Sequence, residues 1–386
     1  MIAEMESNRF SRLWQLLPVA MLVVVFLAVA FYASEFMAIR EQSQARALYV
    51  TDRHAKFETT KARFEQTMNL TYDILRIMAN HPRVTNIDRY GMNLDKNSRT
   101  NVLELYNLLG EYVSVSEIYL VPADMDPDRM DPVTGKPESP IITFDQNIIG
   151  KSADLATDSH SADLEETEIY EYREMKKQCE YFRSKVPTRP TNRGFKVPAL
   201  TSPEVITCDN SEFSKADLEK GDNSARLGIV YSVPFYGPDD HFKGLVSAVI
   251  RTRTLQKIFS EPCYVVFRGV SGYHFEASGT TSLLREVFSD VLRRKLPDNF
   301  PFAELRNCSV VDEEPWFIAC LIPPEVYQKD PRMNAALRES QLVLAVGLVM
   351  SLLIAIVIIV ILYLGRFKAR SMAAALNETN RELVGA

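Results

Sequence analysis

The residues that invite a chemical reading fall into four groups. Asp124, Asp126, Asp128 and Asp131 crowd one loop, and carboxylates alternating in this way could hold calcium through their oxygens. Arg129, however, stands where an EF-hand loop needs glycine, and Pro127 stiffens the middle, so a solvated turn is expected. Tyr119, Phe144, Tyr231 and Asp209 are the candidates for lining a small-ligand pocket. Alternate residues of a strand share one sheet face, and aromatic walls with a single charge suit a cavity. A plain core role suits each tyrosine equally well. Among the cysteines, Cys308 and Cys320 flank the turn-like Asp312-Glu313-Glu314-Pro315 and could staple a hairpin. Cys179 and Cys208 flank a proline-rich stretch, residues 187–203, and could close that loop, which leaves Cys263 over. Buried unpaired thiols are an equal reading for Cys263, Cys308 and Cys320. Gly269-Val270-Ser271-Gly272 departs from the Gly-x-Ser-x-Gly elbow, and five scattered histidines give no metal spacing. With no haem Cys-x-x-Cys-His and no glycine-rich phosphate loop either, no catalytic residue, metal, cofactor or nucleic-acid partner is expected.

The elements that must position these residues are set by two apolar blocks. The chain has 386 residues, 46% hydrophobic and 24% charged, with net charge −6. That average hides residues 13–33 and 342–364, both uncharged. A helix rises about 1.5 Å per residue, so about 20 residues cross the hydrocarbon layer, and both blocks qualify. A cleaved signal peptide is the rival reading of the first block, with Arg9 and Arg12 as its basic flank and Ala28-Val29-Ala30 as its cleavage site. The apolar run is longer than a signal core, and Trp14 and Tyr32 suit the two membrane interfaces, which favours an uncleaved anchor. Arg9 and Arg12 before the first span, and Arg366, Lys368 and Arg370 after the second, place both ends in the cytoplasm. The expected location is a bacterial inner membrane, with two passes and a periplasmic or extracellular domain between them.

Along the chain, residues 1–12 read as a cytoplasmic N-terminus, 13–34 as the first span and 35–82 as a stalk helix. Phe57, Phe64, Met68, Thr71, Leu75 and Met78 form its apolar stripe, and His81-Pro82 ends it. Residues 83–260 read as a membrane-distal sheet module with an insertion at about 150–225. A helix is expected at 99–111 and another at 165–185, where Tyr172, Met175, Cys179 and Phe182 share a face. Strands are expected at 115–121, 141–144, 228–234 and 243–251, the last two joined by Gly237-Pro238-Asp239-Asp240. Residues 261–340 read as a smaller membrane-proximal module, with strands at 264–267, 272–275, 309–311 and 316–322 and a helix at 282–295. The second span, 341–364, leads into a cytoplasmic linker, 365–386. There Met372, Leu376, Thr379 and Leu383 make a heptad seam suited to pairing two copies of the chain.

Taken in this order, the chain resembles the double Cache family of extracytoplasmic sensors, two PAS-like modules on one stalk helix. The resemblance is carried by Ala79-Asn80-His81-Pro82-Arg83-Val84, by Glu117-Ile118-Tyr119-Leu120-Val121, and by Tyr231-Ser232-Val233-Pro234-Phe235-Tyr236-Gly237 running on through Asp239 to Phe242-Lys243-Gly244. Ile318-Ala319 to Ile322-Pro323 also fits. It implies an α+β fold, a small ligand in the distal module, a homodimer, and relay through the second span. The tail segment 376–383 resembles the linker into histidine kinase or diguanylate cyclase domains, which implies an output of that kind, either in a longer protein of which these residues are the sensor part or delivered by a partner. Two departures stand out: the insertion is long, and the Arg-x-Trp-Tyr pattern of amino-acid-binding members is replaced by Pro122-Ala123-Asp124-Met125. An amino-acid ligand is therefore not implied. A membrane-anchored scaffold that binds a protein partner without signalling is the alternative from another class.

Overall fold

The computed structural model describes residues 2–93, 115–145, 161–190, 197–208, 217, 220–269, 272–279 and 282–384. The expected helix at 99–111 lies outside them. The chain divides into two units, one made of residues 1–53 and 324–386, the other of residues 54–323.

Helix α1, Ile2–Ala79, belongs to both. Between Pro18 and Pro82 it meets neither proline nor glycine, so nothing local interrupts it. It stops where expected. His81, held extended (φ −67°, ψ 130°) by the following proline, caps the short α2, Pro82–Thr85, through its own Nδ1.

In the first unit, the early part of α1 packs along α7, Pro331–Val384, which is a single unbroken helix. Both helices are long and apolar enough to cross a membrane. They meet through small side chains: Ser34, Ala38, Ser340, Ser351 and Ala355 are buried, whereas Leu342, Ile361 and Leu364 are exposed. Gln42 Nε2 donates to Ser340 Oγ at 2.9 Å, and a Cβ added to Gly347 would fall 2.7 Å from that of Ser34. Small residues that admit close backbone approach are the usual means by which apolar helices associate without a hydrophobic driving force. At its charged end the pair is closed by Arg332–Asp52 and Arg53–Asp330, with Tyr49 edge-on to Tyr327. That tyrosine lies in α6, Pro324–Lys329. Met372 and Leu376 of the heptad seam are exposed; the side chains of Thr379 and Leu383 lie outside the described residues.

Among the described residues, the second unit holds two antiparallel sheets. The larger follows the order β2-β1-β6-β5-β3, with β4 also on β5. Its strands are β1 Glu117–Pro122, β2 Ile141–Asp145, β3 Leu200–Thr201, β4 Val205–Ile206, β5 Leu227–Tyr236 and β6 Phe242–Arg251, and the short α4, Thr252–Gln256, follows β6. The smaller follows β8-β7-β10-β9, from β7 Tyr264–Arg268, β8 His274–Glu276, β9 Phe302–Cys308 and β10 Trp316–Ile322. This is the α+β class that the resemblance implies. The α1 stripe closes the core: Phe57, Phe64, Met68, Thr71, Leu75 and Met78 are all fully buried. Phe57 stacks on Tyr264 of β7, and Phe64 packs on Trp316 of β10. The other face of the smaller sheet carries Val265, Phe267, Phe317, Ala319 and Leu321 against Val291 of α5, Ser282–Leu292.

Two expectations are corrected. The strand expected at 309–311 is instead β9, Phe302–Cys308, and 309–315 is the turn into β10. The pairings Cys179–Cys208 and Cys308–Cys320 are not formed; all five cysteines are buried thiols. In the β9–β10 ladder Cys308 faces Trp316 and Cys320 faces Glu304, so the register separates the two cysteines by four residues, about 13 Å of strand. No cystine spans that distance. Cys179 Sγ points at the Pro122 carbonyl, 4.0 Å away, while Cys208 bonds to Glu117.

Candidate functional site

The acidic loop is committed to structure. Asp126 takes Lys176 at 2.6 Å and Asp128 takes Arg173 at 2.9 Å, both cations coming from α3, Ser161–Lys185. Asp131 accepts from the backbone N–H groups of Val133 and Thr134. These partners hold Asp126 and Asp131 below the usual carboxylate range, Lys176 acting on the first and the Thr134 amide on the second.

A different acidic cluster forms where α3 covers the larger sheet. Period-two alternation along β1 sends Glu117, Tyr119 and Val121 to the α3 side and Ile118 and Leu120 to the other. From α3, Tyr172, Met175, Cys179 and Phe182 meet Tyr119, Val121, Val230, Leu245 and Val249 in one apolar core. Glu171, next to that stripe, is buried with it, as is Glu117. The chain returns after β4 and brings in Cys208. Its backbone N–H donates to Glu171 Oε1 at 2.8 Å and its thiol donates to Glu117. The Tyr119 hydroxyl donates to Glu117 and lies 3.3 Å from Glu171 Oε2. Its ring meets that of Tyr172 edge-on at 5.8 Å, and the Tyr172 hydroxyl donates to Glu168 at 2.9 Å.

The electrostatics follow from the burial. Desolvation, followed by the charge of Glu117, holds Glu171 well above the usual carboxylate range. Burial also raises Tyr119, Tyr172 and Cys208, and neighbouring carboxylates push each further in the same direction. Burial thus favours the neutral forms of the thiol, both phenols and Glu171. What such a cluster takes up readily is positive charge. One ligand atom each from Glu117, Glu171 and Cys208 lie within 4.8 Å of one another, a mixed oxygen–sulfur set that could hold a borderline metal ion. A protonated amine would meet the same two carboxylates.

Next to this cluster the same sheet face carries a self-contained polar network. Ser232 bonds to Gln178 and to Ser247, and Gln178 Nε2 donates to the carbonyls of Leu200 and Val230.

The sequence candidates do not converge. Tyr119 is in the cluster. Tyr231 is on the opposite sheet face: its ladder partner is Ala248, whose own partner on β1 is Ile118, whereas Tyr119 pairs with Ser247. The Tyr231 hydroxyl donates to the Val311 carbonyl, so Tyr119 and Tyr231 cannot line one cavity. Phe144 pairs with Ile118 in β2, its side chain lying outside the described residues, as Asp209 does entirely. Glu171 goes unremarked in the sequence, Glu117 enters only as the first residue of a strand motif, and Cys208 reads there as a disulfide partner of Cys179. The signal available was a glutamate two residues before Tyr119 in an otherwise apolar strand.

No protein-family model and no curated protein sequence matches the chain. Among solved structures, the chain is similar to a domain of a sensory box/GGDEF family protein from Vibrio parahaemolyticus, at 9% identity and a TM-score of 0.40, covering 74% of this chain and 100% of that one. It is also similar to the sensory domain of the Campylobacter jejuni chemoreceptor Tlp3 (11% identity, TM-score 0.36, 75% of this chain and 98% of that one). A third is the ligand-binding domain of the Pseudomonas aeruginosa PAO1 amino acid chemoreceptor PctC in complex with GABA (8%, 0.32, 75% and 99%). What the chain is similar to, at this distance, is a set of sensory and ligand-binding domains.

Proposed function

We propose that this chain is a two-pass transmembrane receptor whose larger sheet module binds a small cationic ligand outside the cytoplasm. Binding is relayed through α7 to a cytoplasmic output of the histidine kinase or diguanylate cyclase kind, with the receptor acting as a homodimer in a bacterial inner membrane. The observation that carries the ligand class is the convergence of Glu117 and Glu171 with Tyr119 and Cys208 under α3. Two carboxylates buried side by side repel one another in low dielectric, and a bound cation relieves that repulsion where otherwise only a proton does. Relay is supported by α7, which runs unbroken from Pro331 to Val384 and packs on α1 at Ser34 and Gly347. The ligand biases the helix arrangement by no more than its difference in affinity for the two states.

The test is thermal unfolding of the full chain in detergent against three sets of compounds: amines with divalent metal ions, anions, and neutral metabolites. A member of the cationic set should raise Tm for the wild type and lose that effect in Glu117→Gln and Glu171→Gln. Stabilisation only by anions would overturn the ligand class. Silence from every compound would count for the scaffold reading.

A further inference from the structure

Cys263 and Cys320 are 57 positions apart in sequence, yet their sulfurs lie 3.5 Å from each other. Cys263 immediately precedes β7, and Cys320 sits within the neighbouring strand β10. The ladder fixes both. Cys320 pairs with Tyr264, and the next residue, Leu321, donates its N–H to the Cys263 carbonyl at 2.8 Å. A cystine needs a sulfur–sulfur distance of about 2.05 Å and Cβ atoms that point at one another. Cys263 lies diagonal to Cys320, one register step away, and their side chains converge far enough to bring the sulfurs to 3.5 Å. The expected partner of Cys320, Cys308, is held away by the β9–β10 register.

We infer that Cys263 and Cys320 are a redox pair, joined as an intramolecular cystine by a disulfide-class oxidant. Cys263, 5% exposed against 1% for Cys320, is the thiol that an oxidant reaches first. As thiolate it attacks one sulfur of the oxidant and expels the other as a thiol, leaving a mixed disulfide. The Cys320 thiolate then attacks the Cys263 sulfur, the new sulfur–sulfur bond forms, and the second oxidant thiol leaves. Two thiols lose two protons and two electrons, and one disulfide is reduced to two thiols. The loop so closed contains β7, β8, α5 and β9 and ends in β10, the last strand before α6 and α7. Oxidation would therefore clamp the smaller sheet at the strand from which the chain leaves it.

The test is peptide mapping of the full chain in detergent, treated with oxidised glutathione or with a reductant, then alkylated. Oxidation should yield a linked peptide pair containing Cys263 and Cys320, lighter by two hydrogens than the two thiol peptides, and reductant should abolish it. The oxidised chain should melt about 5 °C or more above the reduced one. That difference should vanish in Cys263→Ser and in Cys320→Ser. Alkylation of both cysteines after oxidation, or linkage of either to Cys308 or to another chain, would overturn the inference. The wild-type map decides even if a serine variant fails to fold. It involves no ligand, so it stands or falls apart from the ligand-binding reading.

Discussion

The Arg268 guanidinium and the Asp312 carboxylate meet at 3.2 Å, their side chains 2% and 0% exposed. Arg268 ends β7, and Asp312 lies in the turn between β9 and β10. Both also reach the larger sheet at Thr201 of β3: Arg268 donates to its carbonyl, and Asp312 accepts from its hydroxyl. Asp312 further accepts from Trp316 Nε1 at 2.9 Å. One buried ion pair thus ties the two sheets together. Burial raises the Asp312 pKa even so, the Arg268 charge offsetting only part of that effect.

Removing one partner should cost more than removing both. Arg268→Met strands a carboxylate without its cation and is expected to cost about 3–5 kcal/mol, while Arg268→Met with Asp312→Leu should recover much of that. Urea unfolding of the single and double variants measures the coupling. Additive losses would show that the pair does not act as a unit.

The Glu171 cluster makes a pH prediction with a definite sign. Its folded pKa is raised, so the native state keeps a proton that the unfolded chain releases near pH 4.3. Stability from this group is full below that pH and is lost as pH rises toward the folded value, by up to about 1.4 kcal/mol per pH unit. Glu171→Gln mimics the protonated acid. As pH rises above the unfolded pKa, its Tm should therefore fall less steeply than that of the wild type. Parallel curves would mean that Glu171 is ionised in the fold.

These two clusters also mark where the sequence stops being readable. The α1 stripe could be read because a helix repeats every 3.6 residues without outside help, and all six of its members are buried. Alternation within a strand is legible in the same way, but the face given to each strand is not. Tyr119 and Tyr231 part company because β1 and β5 are both registered through β6, and β1 lies more than 100 residues before the β5–β6 hairpin. Glu171 beside an apolar helix stripe reads as solvated until Glu117 and Cys208 arrive from elsewhere in the chain. Cys308 and Cys320 looked like a hairpin pair because spacing alone does not reveal a four-residue register offset.

The helix pair of the first unit offers a membrane test. A larger residue at Gly347 collides with Ser34, so Gly347→Leu should separate α1 from α7 at a cost of about 1–3 kcal/mol. Cysteines placed at Gln42 and Ser340, which are hydrogen-bonded at 2.9 Å, should cross-link readily in membranes. Adding Gly347→Leu should lower the yield. An unchanged yield would mean that the helices do not pack at this seam.

Gly244 and Gly135 are required for different reasons, and substitution separates them. Gly244 of β6 lies between Pro122 of β1 and Phe235 of β5. A Cβ there would overlap the Val121 carbonyl oxygen and come within 2.6 Å of the Phe235 ring. The carbonyl belongs to the central ladder and cannot swing aside, so Gly244→Ala must spread the strands, at an expected cost of about 3 kcal/mol. Gly135, in the acidic loop, has φ +68° and open space around it. Gly135→Ala meets only the backbone penalty of the left-handed region, about 1 kcal/mol. Urea unfolding of the two alanine variants should therefore rank Gly244→Ala well below Gly135→Ala in stability. The reverse order would mean that β1 and β6 are not paired in this register.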